Sequence, residues 1–472
     1  MDNPLLQDEQ NLRQLLDEVR EFALHFRADD ELLAGSTQRQ APEFRLLDQG
    51  AGTQGAIKVF KEQCAPYLVA SPSNRYLGFV TGGTTPAALA GDWLASAVDQ
   101  NPQAVAGRGD VSAAIELATV GMLRQLFNLP EAFNGGFVTG ATMSAFTCLG
   151  VARQWVAAKQ GYDLAKDGLR KPIPVLAATP HSSAVKSLAM LGLGSRNLVR
   201  VATLPGREAV DMEDLLVKIS ELNGQPFIFI ASGGTVNTVD FDDLATIAEL
   251  KKMYNFWYHV DAAFGGFAAV SQGHAHLLNG WEAADSITID NHKWLNVPYD
   301  SGCWFLRQEH LKLQVETFQN SAAPYLGDPA DHFNYLNAGP ENSRRLRALP
   351  AWFSLTAYGR KGYQDIVERC VATAQSFGEA LTEDAAFTLL APVRLNVVAF
   401  TIAGADAATV DALMQGLNDR GRYFMTPTTM NNTRGIRAAF VNWQNAPTQV
   451  PEIMVELNTV LQNLSIAPAA AP

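Results

Sequence analysis

Cysteine is scarce in this 472-residue chain: there are four, Cys64, Cys148, Cys303 and Cys370, far apart and without CxxC spacing. That argues against a disulfide framework or a cysteine zinc site and fits a reducing compartment such as the cytoplasm. Positive charge is also in short supply. Lysine and arginine total 36 against 48 acids, a formal charge of −12, so a polyanion such as nucleic acid is not an expected partner. No apolar run reaches the length that crosses a bilayer, and the opening MDNPLLQDEQ has neither the basic start nor the apolar core of a secretory signal, so no membrane association is expected. Internal repeats and low-complexity tracts are absent too. Small molecules and other proteins remain as partners. A hydrophobic content of 47% can fill a sizeable core, and the length suits a large α/β domain with a smaller companion.

The hydrophobic pattern divides the chain into three. Residues 8–28 place Leu12, Leu15, Leu16, Val19, Phe22, Ala23 and Phe26 at helical spacing, an amphipathic helix whose stripe must be covered from outside the segment. We assign residues 1–74 to a helical arm making a subunit contact. Between 75 and 348 the pattern alternates. A strand-like start at Arg75 leads through Gly82-Gly83 to a helix near Pro86, and a helix follows at 111–127. β-rich runs at 175–180, 198–204, 226–232, 256–262, 286–291 and 303–307 are separated by helical ones near 182–192, 211–222, 241–253 and 276–282. This is the signature of a largely parallel sheet covered on both faces. After Phe318 a long loop rich in Pro, Gly, Asn and Asp precedes helices at 350–359 and 361–384 and a smaller α+β region, giving a third segment, 349–472.

Candidate chemistry gathers at strand ends, where α/β sheets bind ligands. SITIDNHKW, Ser286 to Trp294, runs from a strand into a turn bearing Lys293 among apolar neighbours. Loss of solvation removes some of an amine's charge, as a Schiff-base lysine requires. Alone, Lys293 reads equally well as an ordinary loop lysine. HVDAAFGG puts Asp261 at another strand end, where a carboxylate among alanines needs a cation such as a protonated pyridine nitrogen, or merely caps a turn. His181 in ATPHSSAVKS falls at a third strand end, and alone is more often structural. The turn Gly140-Ala141-Thr142 opens a helix whose free amides and dipole suit a phosphate, although a plain Thr cap is the simpler reading.

The segments GATMSAF, TPHSSAVKS, HVDAAFGG and NHKWLNVPYD stand in the order and at the spacing of the group II pyridoxal phosphate-dependent amino-acid decarboxylases, which this chain resembles over about residues 75–360. The resemblance implies fold type I: a large domain with a mostly parallel seven-stranded sheet, an N-terminal arm and a small C-terminal α+β domain. It also implies a homodimer, often with exchanged N-terminal segments. Lys293 would carry pyridoxal 5'-phosphate as a Schiff base, Asp261 would pair with the pyridinium nitrogen and His181 would stack on the ring. Ala141 and Thr142 match the phosphate loop, His292 lies beside phosphate and substrate, and Thr235 belongs to a turn approaching the cofactor. Phe79, Val80 and Thr81 align with the substrate pocket. Counting back from Ser343-Arg344-Arg345 puts Tyr335 at the mobile-loop tyrosine that protonates carbon, with Tyr325 the other tyrosine in that loop. One departure concerns charge: many relatives have Asn-Pro-His-Lys where this chain has Asp290-Asn291-His292-Lys293, and a carboxylate facing the phosphate would repel it.

The expected reaction is decarboxylation of an L-amino acid to an amine and carbon dioxide. No arginine at a recognisable pocket position marks an acidic side chain, and Phe79 with its apolar neighbours suits an aromatic substrate. Oxidative decarboxylation to an aldehyde, carbon–carbon lyase or aminotransferase chemistry, and a scaffold that binds the cofactor without turnover are the competing readings. No metal is expected.

Overall fold

The computed structural model describes residues 4–29, 31–35, 44–46, 48–103, 111–319 and 333–466. Tyr325 and the C-terminal tail from 467 lie outside the described residues. Seven strands form one sheet: β1 (Phe133–Val138), β2 (Val175–Ala177), β3 (Leu198–Arg200), β4 (Phe227–Ser232), β5 (Phe256–Asp261), β6 (Ser286–Ile289) and β7 (Gly302–Arg307), in the order β1-β7-β6-β5-β4-β2-β3. Only β7 runs antiparallel to its neighbours. The other four pairings, β6-β5, β5-β4, β4-β2 and β2-β3, are parallel, giving the mostly parallel α/β sheet expected from the sequence texture. β4, β5, β6 and most of β7 are buried along their length, which explains their unbroken β-branched and aromatic runs.

A separate antiparallel sheet holds β8 (Phe387–Leu389), β9 (Val397–Ile402), β10 (Thr426–Met430) and β11 (Thr433–Ala439), ordered β10-β11-β9-β8. It joins the large sheet through a helix from Ala348 to Glu383, broken at Gly359, where φ is 57° and a side chain is disfavoured. That break separates the two helices expected on either side of it. Helices at Leu12–Ala28 and Gly52–Gln63 pack through an edge-on Phe22–Phe60 contact and the Glu18–Lys61 ion pair. Leu12, Leu16, Val19 and Leu24 of the first helix remain exposed.

Two expectations fail locally. The run from Arg75 forms no strand: Tyr76 makes an isolated bridge to Phe424, and Phe79 and Val80 adopt φ of 54° and 58° as the chain turns inward. Near 276–282 the helix is replaced by 3-10 turns at Ala275–Leu278 and Trp281–Ala283. Gly280 separates them at φ 99°, and a Cβ there would fall 2.2 Å from the Leu244 carbonyl oxygen.

Candidate active site

Parallel strands end in register, so their C-terminal residues share one edge. Ser232 of β4 pairs with Asp261 of β5, which pairs with Thr288 of β6. Past that edge lies a cavity of about 270 Å³ lined by His181, Thr235, Asp261, Phe264 and Lys293 among others. A larger cavity of about 1020 Å³ lies elsewhere, around Asp240 and the Arg207 and Arg394 side chains paired with it, and contains none of the expected site residues.

Lys293 stands on a single helical turn, Asn291–Trp294, directly after β6. Its Nζ lies 3.2 Å from Asp290 Oδ2 and 5.6 Å from the centre of the Phe264 ring. Asp261 ends β5, and among the described residues its side chain accepts a hydrogen bond only from Ala263 N, at 3.3 Å. A carboxylate so weakly satisfied leaves room for a cationic N–H from the cavity.

His181 caps the helix Ser182–Met190: its Nδ1 accepts from Ser183 N at 3.2 Å and lies 2.7 Å from Ser183 Oγ. Solvent reaches the ring through the cavity, yet the walls crowd it. Burial pulls its pKa below 6.5, Asp261 opposes that, and Lys293 and Arg437 reinforce it, so the imidazole is neutral at neutral pH.

At the other end, Ala141 opens the helix Ala141–Lys159 after a glycine with no capping side chain. Its amide donates to Asp290 Oδ1 at 3.0 Å, so Asp290 does face the expected phosphate loop. Thr142 is next in that first turn, its carbonyl accepting from Ser187 Oγ at 3.1 Å. His292 Nε2 lies 3.3 Å from Asp290 Oδ2, its Nδ1 accepts from Ser301 N, and its ring centre is 4.3 Å from that of Tyr299. Burial pushes the Asp290 carboxyl up, but Lys293 and the hydrogen-bonded His292 outweigh it and hold it below the ordinary carboxylate value.

The 79–82 segment passes against the Lys293 turn so closely that a Cβ on Gly82 would lie 1.5 Å from the Lys293 carbonyl oxygen. Phe79 is 61% exposed, Val80 is buried, and Thr81 Oγ1 reaches Tyr299 Oη at 3.2 Å.

Thr235 lines the cavity, but its hydroxyl donates to Glu208 at 2.6 Å. Glu208 escaped sequence reasoning: its carboxylate also gathers Asn237 Nδ2 and the Thr238 amide and hydroxyl, shaping the turn from a strand-connecting loop with no local motif. Arg437 of β11 was missed as well. It is 8% exposed, donates to Val236 O at 2.8 Å, and its charge is felt at His181.

Tyr335 is not brought to this cavity. Expected in an open loop, it is 2% exposed, its hydroxyl donates to Gly135 O at 3.2 Å, and the Arg344 guanidinium stacks on its ring at 4.7 Å. Burial pushes its hydroxyl well above the ordinary pKa, and from this position the hydroxyl does not face the cavity. The polar loop composition concealed an aromatic anchor that packs where Gly136 leaves space.

Amine, under-satisfied carboxylate and neutral imidazole on one cavity are the donor set that pyridoxal phosphate requires, and the helix start at Ala141, whose first amide now meets Asp290, is the matching anion end. The comparisons agree. Residues 54–403 match the model of the pyridoxal-dependent decarboxylase conserved domain. An aromatic-L-amino-acid decarboxylase of Bacillus atrophaeus is 27% identical over 83% of this chain and 82% of that protein. A phenylacetaldehyde synthase of Petunia hybrida is 26% identical over 88% and 86%. The crystal structure of Catharanthus roseus tryptophan decarboxylase with L-tryptophan superposes with a TM-score of 0.86 at 20% identity, over 97% of this chain and 98% of that one, a likeness of fold. With a family model spanning most of its length, this chain belongs to the pyridoxal-dependent decarboxylases and is a pyridoxal phosphate-dependent amino-acid decarboxylase.

Proposed function

We propose that the enzyme converts an aromatic L-amino acid to its amine and carbon dioxide, working as a homodimer. The observation that carries this reading is the meeting of Lys293, Asp261 and His181 on one cavity, beside a segment that presents Phe79. The aromatic preference is further supported by Tyr299, 61% exposed against His292, which offers a second ring face at the Lys293 turn. Relatives bearing aromatic-amino-acid names favour the same substrate class.

When bound, the cofactor supplies an electron sink for the pair left on Cα as carbon dioxide departs. The protein's own residues do the rest. Lys293 Nζ would be the attachment point for the cofactor's aldehyde. The Asp261 carboxylate would hold a proton on the cofactor's ring nitrogen through its charge. His181, on the wall of the same cavity, would border the cofactor with a neutral ring, adding no charge that would compete with Asp261. Phe264 and the Phe79 segment would orient the substrate's side chain, and with it the carboxylate that leaves.

The exposed row Leu12, Leu16, Val19 and Leu24 supports a second copy as the cover of the N-terminal arm. A second reading, oxidative decarboxylation to an aldehyde with ammonia and hydrogen peroxide from dioxygen and water, is favoured by the aldehyde synthases among the relatives.

One preparation tests these readings. The purified protein, loaded with pyridoxal phosphate, is expected to show a visible absorbance band absent from Lys293→Ala, to sediment at twice the chain mass, and to yield equimolar amine and carbon dioxide from tryptophan, tyrosine or phenylalanine. Aldehyde and peroxide in place of amine would select the second reading. Turnover confined to acidic or basic amino acids would refute the aromatic assignment.

A further inference from the structure

The Asp290 carboxylate holds two things that the cofactor also needs. One oxygen accepts the Ala141 amide at 3.0 Å, the first donor of the helix start on which a phosphoryl group would rest. The other lies 3.2 Å from Lys293 Nζ and 3.3 Å from His292 Nε2. The side chain is only 5% exposed, and among the described residues Ala141, His292 and Lys293 are its side-chain partners, so it forms a compact internal anion within the cofactor's own anchoring points. Even a Cβ on Gly140 would come within 3.5 Å of its Oδ1 and 3.1 Å of the His292 ring. A neutral asparagine would accept the same amide without the charge.

We propose that Asp290 is a built-in competitor for the cofactor's phosphate, a positioning residue that sets how tightly pyridoxal phosphate is retained. On loading, a phosphoryl group carrying negative charge must approach the amide that this carboxylate occupies. Two like charges at contact distance in a water-poor pocket repel strongly. The carboxylate also lies 3.2 Å from Lys293 Nζ, a contact that must be given up when that nitrogen takes an aldehyde. The second effect acts on any aldehyde at this lysine, the first only on a phosphorylated one.

The inference rests on cofactor binding at this cavity, and the test separates the two. Dissociation constants for pyridoxal phosphate and for pyridoxal, which lacks the phosphate, are measured by absorbance on the wild-type protein, Asp290→Asn and Lys293→Ala. Asp290→Asn is expected to bind pyridoxal phosphate at least about tenfold tighter, with a gain exceeding that for pyridoxal by about the same factor. Should the asparagine variant not fold, Asp290→Ala is measured in its place with the same expected sign. Equal gains for both aldehydes, or no gain for pyridoxal phosphate, would overturn the proposal while leaving the cofactor assignment standing. A wild-type protein with no Lys293-dependent band would overturn both.

Discussion

Replacing Arg344 with Met tests whether a buried ion pair anchors the phosphate loop. The Arg344 and Glu116 side chains are 5% and 0% exposed, and Nη2 meets Oε1 at 2.6 Å. The guanidinium also donates to Phe137 O at 2.8 Å and Pro102 O at 3.3 Å, while Glu116 Oε1 accepts from Phe137 N at 2.8 Å. Phe137 is the penultimate residue of β1, which runs directly into Gly140 and Ala141. Met fills most of the volume but leaves a buried carboxylate with one backbone donor, since Glu116 Oε2 already lacks a partner, and it frees the Phe137 carbonyl. Breaking a buried pair on one side costs about 3–5 kcal/mol, a large share of the roughly 5–15 kcal/mol that holds a domain folded. Adding Glu116→Gln removes the stranded charge, so the double variant should recover to within about 2 kcal/mol of the wild type. Urea unfolding followed by tryptophan fluorescence and circular dichroism measures both. A loss below about 1 kcal/mol in Arg344→Met, or a double variant no better than the single one, would refute the reasoning.

Two further perturbations probe the site from other sides. Gly82→Ala would drive a Cβ to 1.5 Å from the Lys293 carbonyl oxygen, a backbone atom that cannot rotate away, so we expect a loss of roughly 3 kcal/mol or more together with loss of the cofactor band; Gly121→Ala, with nothing within 4 Å inside the helix Ser112–Leu126, should instead gain about 1 kcal/mol. If both substitutions behave alike in thermal unfolding, the close approach is not what restricts Gly82. His259 is fully buried beneath Asp261 and burial lowers its pKa from 6.5 to about 4. A depressed histidine contributes stability above its unfolded pKa and loses it as pH falls from about 6.5 towards 4, in all roughly 3 kcal/mol. His259→Gln should therefore flatten the stability profile across that window, and a variant with the wild-type slope would exclude His259 as its source.

Legibility in the sequence followed the range of the interaction. β4, β5 and β6 are buried on both faces, so their apolar runs announce them without reference to any partner. Helices such as Pro86–Val98 carry their own start signals, here Thr85, whose side chain accepts from Ala88 N, followed by Pro86. The residues Lys293, Asp261 and His181 were readable because each ends a local strand pattern, and a parallel sheet brings such ends together by construction. Tyr335 was misread for the same reason in reverse: its neighbours are polar and turn-forming, but its burial comes largely from Trp304 and from the space left by Gly136, which are distant in sequence.

The order of chemistry-bearing motifs, the alternation of strand and helix, and the placing of Lys293 just past a strand end were determined by the sequence alone, because they depend on residue type and short-range periodicity. Only the tertiary structure decided that Asp290 turns its carboxylate onto the Ala141 amide, that Glu208 takes the hydroxyls of Thr235 and Thr238, and that Arg437 from the second sheet reaches the neighbourhood of His181. Each joins segments far apart in the chain. Which donor a buried charge finds is set by how the layers pack, and no local pattern encodes that.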